Sequence, residues 1–506
     1  MGTEVELKLV TSRSGLNKVM GLPWLKKLAG ARTGRQRMRS VYFDTKDRTL
    51  HRHGISLRVR NTEGRRLQTI KGNSNGALAR AEWEHEIDRD QPRLELARST
   101  ALKPILSNGI GERLRPVFET DVERVAMPLH LGHSDIELAF DRGRVATTEA
   151  NIEICEIELE LKDGKRDDLA RLARKLAHSA PVSLGARAKA EWGYALLEGS
   201  LDAPVAAEPI MIAPDSSAAD AFVAVGFACL RQIAGNEFAV RRGDGEGVHQ
   251  MRVGLRRLRA AMSLFKTMLH GKESGLIKRE LKWLTEQLGP ARDSDVFLEK
   301  TVMPYAGRHP NQPQFETLAH DLEQQRRAGF SLSRAAVDNP RFRRLLLDCA
   351  LWLLDGEWRN DSDPLRRVLR QGAARTFARD ELQRRTRKII KWVRKLEKLD
   401  ARRRHKLRIA VKKLRYGREF FASLKPDRGR GKARRKIDRA LKTLQSVLGD
   451  LNDMRVHGEW AHRFASASIA AQKAFAIGVL TGREDTNANA LLDDACEAGK
   501  HPQRAA

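Results

Sequence analysis

The chain has 506 residues and carries 94 Lys and Arg against 65 Asp and Glu, a net charge of +29. That length allows two or more domains with substantial cores, and that charge points to a polyanionic partner. Residues 1–200 hold 35 basic and 28 acidic side chains and the remainder 59 and 37, so the second part is the stronger seat for such a partner.

Four cysteines, Cys155, Cys229, Cys349 and Cys496, lie far apart with no CxxC pair and no histidine cluster nearby. They read against a zinc site or a disulfide framework and suit a reducing cytoplasm. The charged N-terminus does not read as a secretory signal, and the longest apolar run, Ala221 to Ile233, is interrupted by Arg231 and too short to span a bilayer. A cytoplasmic protein without a membrane partner is expected.

In chain order, Thr3-Glu4-Val5-Glu6-Leu7-Lys8-Leu9-Val10 alternates charged and apolar residues. As a strand it sets Glu4, Glu6 and Lys8 on one face and Val5, Leu7 and Leu9 on the other. Two carboxylates with an ammonium beyond suit a divalent cation beside a phosphate. Val41 to Thr45 reads as a strand ending in a turn. Ser56 to Arg60 presents Arg58 and Arg60 on one face, and Leu67 to Lys71 delivers Lys71 before Gly72. Glu82 to Ile87 aligns Glu82, Glu84 and Glu86; Ile136 to Asp141 is a strand ending at a turn; Glu156 to Leu161 aligns Glu156, Glu158 and Glu160. Helical stretches near 14–29, 94–108 and 165–178 separate them, which predicts an α+β domain with an antiparallel sheet. Charges of both signs on one face of so many strands make sense if the sheet closes around a wet, charged interior.

Glu4-x-Glu6-x-Lys8, Arg58-x-Arg60, Lys71, the Glu82/Glu84 strand and Glu156-x-Glu158 together resemble the CYTH, or triphosphate tunnel metalloenzyme, family over about residues 2–200. The resemblance implies an eight-stranded antiparallel tunnel that binds a triphosphate and one or two Mg²⁺ or Mn²⁺ ions. It makes Lys8, Arg58, Arg60, Lys71 and, by position, Arg124 the phosphate ligands. Glu4, Glu6, Asp141, Glu156 and Glu158 become the metal-side acids, and Glu82 and Glu84 acids on the substrate side. Lys189 resembles the family's late lysine, although the usual Ser-Lys and Arg-Gly stand here as Ala188-Lys189 and Trp192-Gly193.

Residues 201–216 are rich in Ala and Pro and read as a linker between a domain at 1–200 and another at 217–482, with a frayed tail over 483–506. The second part is helical throughout, with breaks at Gly243–Gly247, His309-Pro310, Asn339-Pro340 and Lys425-Pro426. It contains a duplication. His249 to Arg259 matches His405 to Arg415, and Leu288-Gly289 through Val296 matches Leu448-Gly449 through Val456, with Asn452 standing where the first copy has Arg292. Helical spacing puts Met251, Leu255, Leu258, Met262 and Phe265 on a core stripe, and Leu407, Val411 and Leu414 likewise. His249, Arg252, Arg256 and Arg259, and His405, Arg408, Lys412 and Arg415, form second stripes roughly a third of a turn away at ~100° per residue. Stacked cations repel one another unless an anion lies along them.

This part resembles the CHAD family over about 217–465. The resemblance implies two pseudo-symmetric four-helix bundles whose basic helices face a channel for long-chain polyphosphate. The whole chain then reads as a metal-dependent inorganic triphosphatase fused to a polyphosphate-binding domain, placed in the cytoplasm or at polyphosphate granules. The alternatives are a nucleotide or thiamine triphosphatase or adenylate cyclase in the same tunnel, and a non-catalytic polyphosphate anchor. With 4 Tyr, 16 Phe and few aromatics among the basic helices, stacking on nucleic-acid bases is poorly supplied.

Overall fold

The computed structural model describes residues 5–29, 33–74, 80–424, 437, 439–449, 451 and 475–480. Glu4, the break at Lys425-Pro426, Asp450, residues 452–456 of the second motif copy and the tail over 483–506 lie outside the described residues.

The alternating stretches form strands because each has one apolar face to bury. They are β1 (Val5–Val10), β2 (Gly34–Asp44), β3 (Ser56–Thr62), β4 (Arg65–Ser74) and β5 (Arg80–Ile87). After these come β6 (Arg115–Leu131), β7 (Ser134–Ala146), β8 (Asn151–Asp163) and the two-residue β9 (Ser183–Leu184). One antiparallel sheet results, in the order β5-β4-β3-β2-β6-β7-β8-β1-β9. It has nine strands where eight were implied, and pairing does not close it: β5 and β9 are its two edges among the described residues. The ninth strand is too short to show an alternation of its own.

The sheet is nonetheless strongly rolled. Strands six places apart in a flat sheet would be separated by about 29 Å, yet Lys71 on β4 is near enough to Glu6 on β1 for its charge to oppose the rise that burial and Glu158 impose on that carboxyl. The apolar alternates Leu7, Leu9, Ile157 and Leu159 are buried with Leu16, Val19 and Leu25 of the helices Arg13–Met20 and Pro23–Ala29 and with Leu169 and Leu172 of Arg166–Ser179. Two local expectations change. The stretch 94–108 makes two 3-10 turns, Leu94–Ala97 and Lys103–Asn108, rather than a helix. Thr100 explains the break, since its Oγ1 donates to Ala97 O at 2.7 Å and accepts from Leu102 N–H at 3.2 Å, and Pro104 follows. β7 runs on to Ala146, so Asp141 sits mid-strand and not at a turn.

From Ser217 onward the regular elements are helical. Ser217 Oγ caps the Ala218–Gly235 helix by accepting from Asp220 N–H at 3.1 Å. By length and composition the stretch Ala218–Arg241 is apolar enough to cross a membrane, but 83% of its apolar window is buried inside the protein, as in a core helix. The two repeat copies lie on the helices Gly245–Leu264 and Ala401–Phe420, which pack on each other. Their expected core stripes are buried throughout. One hydrophobic core continues from the sheet into this region, because the Pro340–Asp355 helix packs on both Arg166–Ser179 and β9.

Candidate active site

β6, β7, β8 and β1 are neighbours, and their register sets charge against charge. Arg124 pairs with Asp141, Asp141 with Glu156, and Glu158 with Lys8. Lys189 enters from the first residue of the Lys189–Leu197 helix. That helix approaches β6 closely only because residue 193 is glycine: a Cβ there would lie 2.1 Å from the Phe118 ring.

The outcome is an interlocked ion cluster. Lys189 Nζ lies 2.6 Å from Asp141, 2.7 Å from Glu156 and 3.0 Å from Glu158. Lys8 Nζ lies 2.8 Å from Glu158 and 3.5 Å from Glu156. Arg124 grips Asp141 with two hydrogen bonds of 2.7 and 2.6 Å and also reaches Glu158. Burial alone would push the Glu158 carboxyl up, but Lys189, Lys8 and Arg124 outweigh it and hold it well below the usual range. Asp141 is lowered in the same way, burial being overcome by Lys189 and Arg124. Glu6 goes the other way, pushed up by burial and by the Glu158 charge against Lys8, Lys71 and Lys189.

Asp141, Glu156 and Glu158 offer ligand oxygens that all lie within 4.8 Å of one another. Glu156 Oε1 is buried and has no hydrogen-bond partner. Three hard oxygen donors with one unsatisfied atom fit a hard divalent cation.

The wall formed by β2 to β5 is built differently. Lys71 Nζ lies 2.8 Å and Arg58 3.8 Å from Glu82, while Glu84 accepts from Thr69 Oγ1 at 2.9 Å. Arg58 also reaches the Tyr42 hydroxyl at 3.5 Å. Arg60 is pushed down to about 10 by burial and by Arg58, with Arg124 adding to the effect. Arg58 and Arg60 each keep a buried Nε–H with no partner. This wall therefore has donors to spare, where the Asp141 wall is nearly saturated.

Two residues here escaped the sequence reading. Tyr42 is buried, which raises its hydroxyl, yet Arg58, Arg60 and Lys189 bring it below the ordinary value. The signal was register: Tyr42 pairs directly with Arg58. Asp44, expected only to end a strand, is fully buried and accepts from Thr45 N–H (2.7 Å), Leu50 N–H (2.9 Å), His51 N–H (3.0 Å) and Tyr194 Oη (2.8 Å). It ties the turn after β2 to the helix that delivers Lys189.

In the helical region His249, Arg252 and Arg256 share one face of Gly245–Leu264, and Arg292 joins them. Burial and Arg292 push the His249 imidazole down, and burial with Arg256 and Arg292 does the same to Arg252. Arg252 is not without acid: Asp293 from the second repeated motif stands 3.6 Å away. Arg259 is exposed and, with Arg385 and Lys388, lowers the half-buried Lys413 after burial itself. His405, Arg408, Lys412 and Arg415 are half-buried on Ala401–Phe420, and Arg415 Nη1 donates to Gln445 at 2.8 Å. Arg257, not singled out in the sequence, is fully buried between Gln232 (2.8 Å) and Glu419 (2.7 Å).

Comparison with known proteins follows the same division. Residues 2–194 match the CYTH domain model and residues 224–462 the CHAD domain model. Over 161 residues the chain is 30% identical to the inorganic triphosphatase of Haemophilus influenzae, a match that takes in 31% of this chain and 45% of that protein, under half its length. The crystal structure of the CHAD domain from the plant Ricinus communis is 29% identical, with a TM-score of 0.50 over 59% of this chain and 96% of that one. PptA from Streptomyces chartreusis, at 17% identity and a TM-score of 0.41, covers 56% of this chain and all of that one. This chain joins a CYTH domain to a CHAD domain.

Proposed function

We propose that the rolled sheet hydrolyses inorganic triphosphate to diphosphate and phosphate with the help of Mg²⁺ or Mn²⁺, and that the helical domain binds long-chain polyphosphate. The observation that carries this reading is the pairing of the two walls. Arg58 and Arg60 hold buried donors with nothing to donate to, and they face a compact group of carboxylates already ionised at neutral pH. A chain of phosphoryl groups satisfies the first wall and a divalent cation the second. Lys8, Arg58, Arg60, Lys71, Arg124 and Lys189 neutralise and orient the triphosphate, with arginine supplying two-pronged contacts and lysine a point charge. Glu82 holds Lys71 and Arg58 in place. Glu4, Glu6, Asp141, Glu156 and Glu158 would hold the metal, which when bound neutralises phosphate oxygens and lowers the pKa of water. Water adds to the terminal phosphorus, the bridging P–O bond breaks, and orthophosphate and diphosphate leave.

The CHAD domain is read as two pseudo-symmetric four-helix bundles with the His249 to Arg259 and His405 to Arg415 stripes along a shared channel. A cytoplasmic setting suits the buried free thiols of Cys155, Cys229 and Cys349. The test is phosphate release from triphosphate, ATP, thiamine triphosphate and long polyphosphate, with Mg²⁺ and Mn²⁺ separately. Triphosphate is expected to turn over fastest; ATP or thiamine triphosphate turning over faster would move the assignment to an organic substrate.

A further inference from the structure

A cavity of about 570 Å³ opens on the helical domain between the start of Ala218–Gly235 and the turn that leads into the Pro364–Gln371 helix. None of its lining residues belongs to the rolled sheet or to the two basic stripes. Arg359, Arg367 and Arg370 line it together with Asp220 and Asp361. Both carboxylates are already engaged. Asp220 accepts from Ser217 Oγ at 2.6 Å and stands 3.4 Å from Arg359 Nη2, and Asp361 is held by Arg366.

The arginines are not satisfied in return. Arg370 is only 6% exposed, and while its Nη2 donates to Asp361 O, its Nη1 is buried with no partner. Arg359 Nη1 is likewise buried and unpartnered. A buried donor left unmade costs about 1–3 kcal/mol, more when it carries charge. Burial and the nearby Arg166 lower the Arg359 pKa in spite of the opposing pull of Asp220 and Asp355. No aromatic side chain lines the cavity, so a nucleobase has nothing to stack on.

We infer that this cavity is a second anion site, separate from the rolled sheet and the basic stripes, which takes a short inorganic phosphate chain of the diphosphate type on Arg359, Arg370 and Arg367. Asp220 and Asp361 set its length limit, since they repel any chain that runs past the arginines. Arg166 begins the helix that packs under the sheet, so the site lies close to the contact between the two domains.

The test is hydrogen exchange on the full chain with metal chelated, titrated with inorganic diphosphate. Exchange over 357–371 is expected to slow saturably in the parent. The Arg359→Gln/Arg370→Gln double variant is expected to weaken that effect at least about tenfold, with protection over 56–62 retained. If the double variant fails to fold, Arg367→Glu on the exposed rim gives the same reading, again at least about tenfold weaker. No slowing over 357–371 at millimolar diphosphate would overturn the inference. So would slowing that persists in the variants, or ATP binding there more tightly than diphosphate. Because the readout is local and independent of turnover, loss of the triphosphatase reading leaves this result unaffected.

Discussion

Lys189 Nζ stands 2.6 Å from Asp141 and 2.7 Å from Glu156, so an ammonium already occupies the place where three carboxylates converge. A divalent ion that joins the same carboxylates must compete with it. Removing one partner of a buried ion pair costs about 3–5 kcal/mol, and Lys189→Gln is expected to lower Tm accordingly. Added Mg²⁺ or Mn²⁺ should then raise Tm more in Lys189→Gln than in the parent. Equal metal-induced increments would show that the ion binds elsewhere.

The same cluster sets an acid limb. Asp141 and Glu158 have folded pKa values below their ordinary 3.8 and 4.5, so their stabilisation is present above those values and lost as pH falls through the lowered ones. Glu6 has the opposite sign: its raised folded pKa gains stability as pH falls toward 4.5. Denaturation midpoints from pH 7 to pH 3 should therefore pass a shallow maximum before a steep loss. Glu6→Gln should remove the rise, and Glu158→Gln should flatten the loss.

Arg58→Ala and Arg60→Ala each remove a charge-assisted contact of about 1.5–3 kcal/mol, which is roughly ten- to a hundredfold in kcat/KM on triphosphate. Steady-state kinetics decide it: unchanged constants at both positions mean that these side chains do not meet the substrate.

Arg257 tests how the repeat copies are joined. Glu419→Ala leaves the buried Arg257 guanidinium with Gln232 alone. Because Glu419 is itself 43% exposed and water can take its place, the expected cost is about 1–3 kcal/mol. Arg257→Met in that background should restore much of the loss, because no buried charge is then left alone. A double mutant no more stable than Glu419→Ala in urea denaturation would argue that packing, not charge, holds this contact.

Full-length protein should bind long polyphosphate with an affinity that falls as salt rises, through counter-ion release. Charge reversal at Arg252, Arg256, Arg408 and Lys412 should abolish it. Equal displacement of polyphosphate by duplex DNA, phosphate for phosphate, would place the basic stripes on an open surface.

Much of this could be read from residue patterns. Strict alternation in β1 and β8 gave both the buried leucines and the charged face, since period 2 leaves no other arrangement. The stripe on Gly245–Leu264 was equally legible because 3.6-residue spacing fixes which side chains share a face. What stayed hidden depended on partners distant in sequence. Arg257 flanks the core stripe on the side away from Arg252 and Arg256, and its burial depends on Glu419, 162 residues on. Strand order hid the Tyr42–Arg58 contact and the reach of Lys71 to Glu6, because alternation says nothing about which strand lies beside which.

The continuous core between the domains has a consequence for synthesis. The surface that Arg166–Ser179 and β9 offer to the Pro340–Asp355 helix is finished about 150 residues before that helix is made. At roughly 5–20 residues per second, the CYTH domain waits about 8–30 seconds on the ribosome with that apolar surface uncovered. Until then that surface is open to neighbouring nascent chains and ribosome-associated chaperones, and the pace of translation through the intervening helices sets how long it stays so.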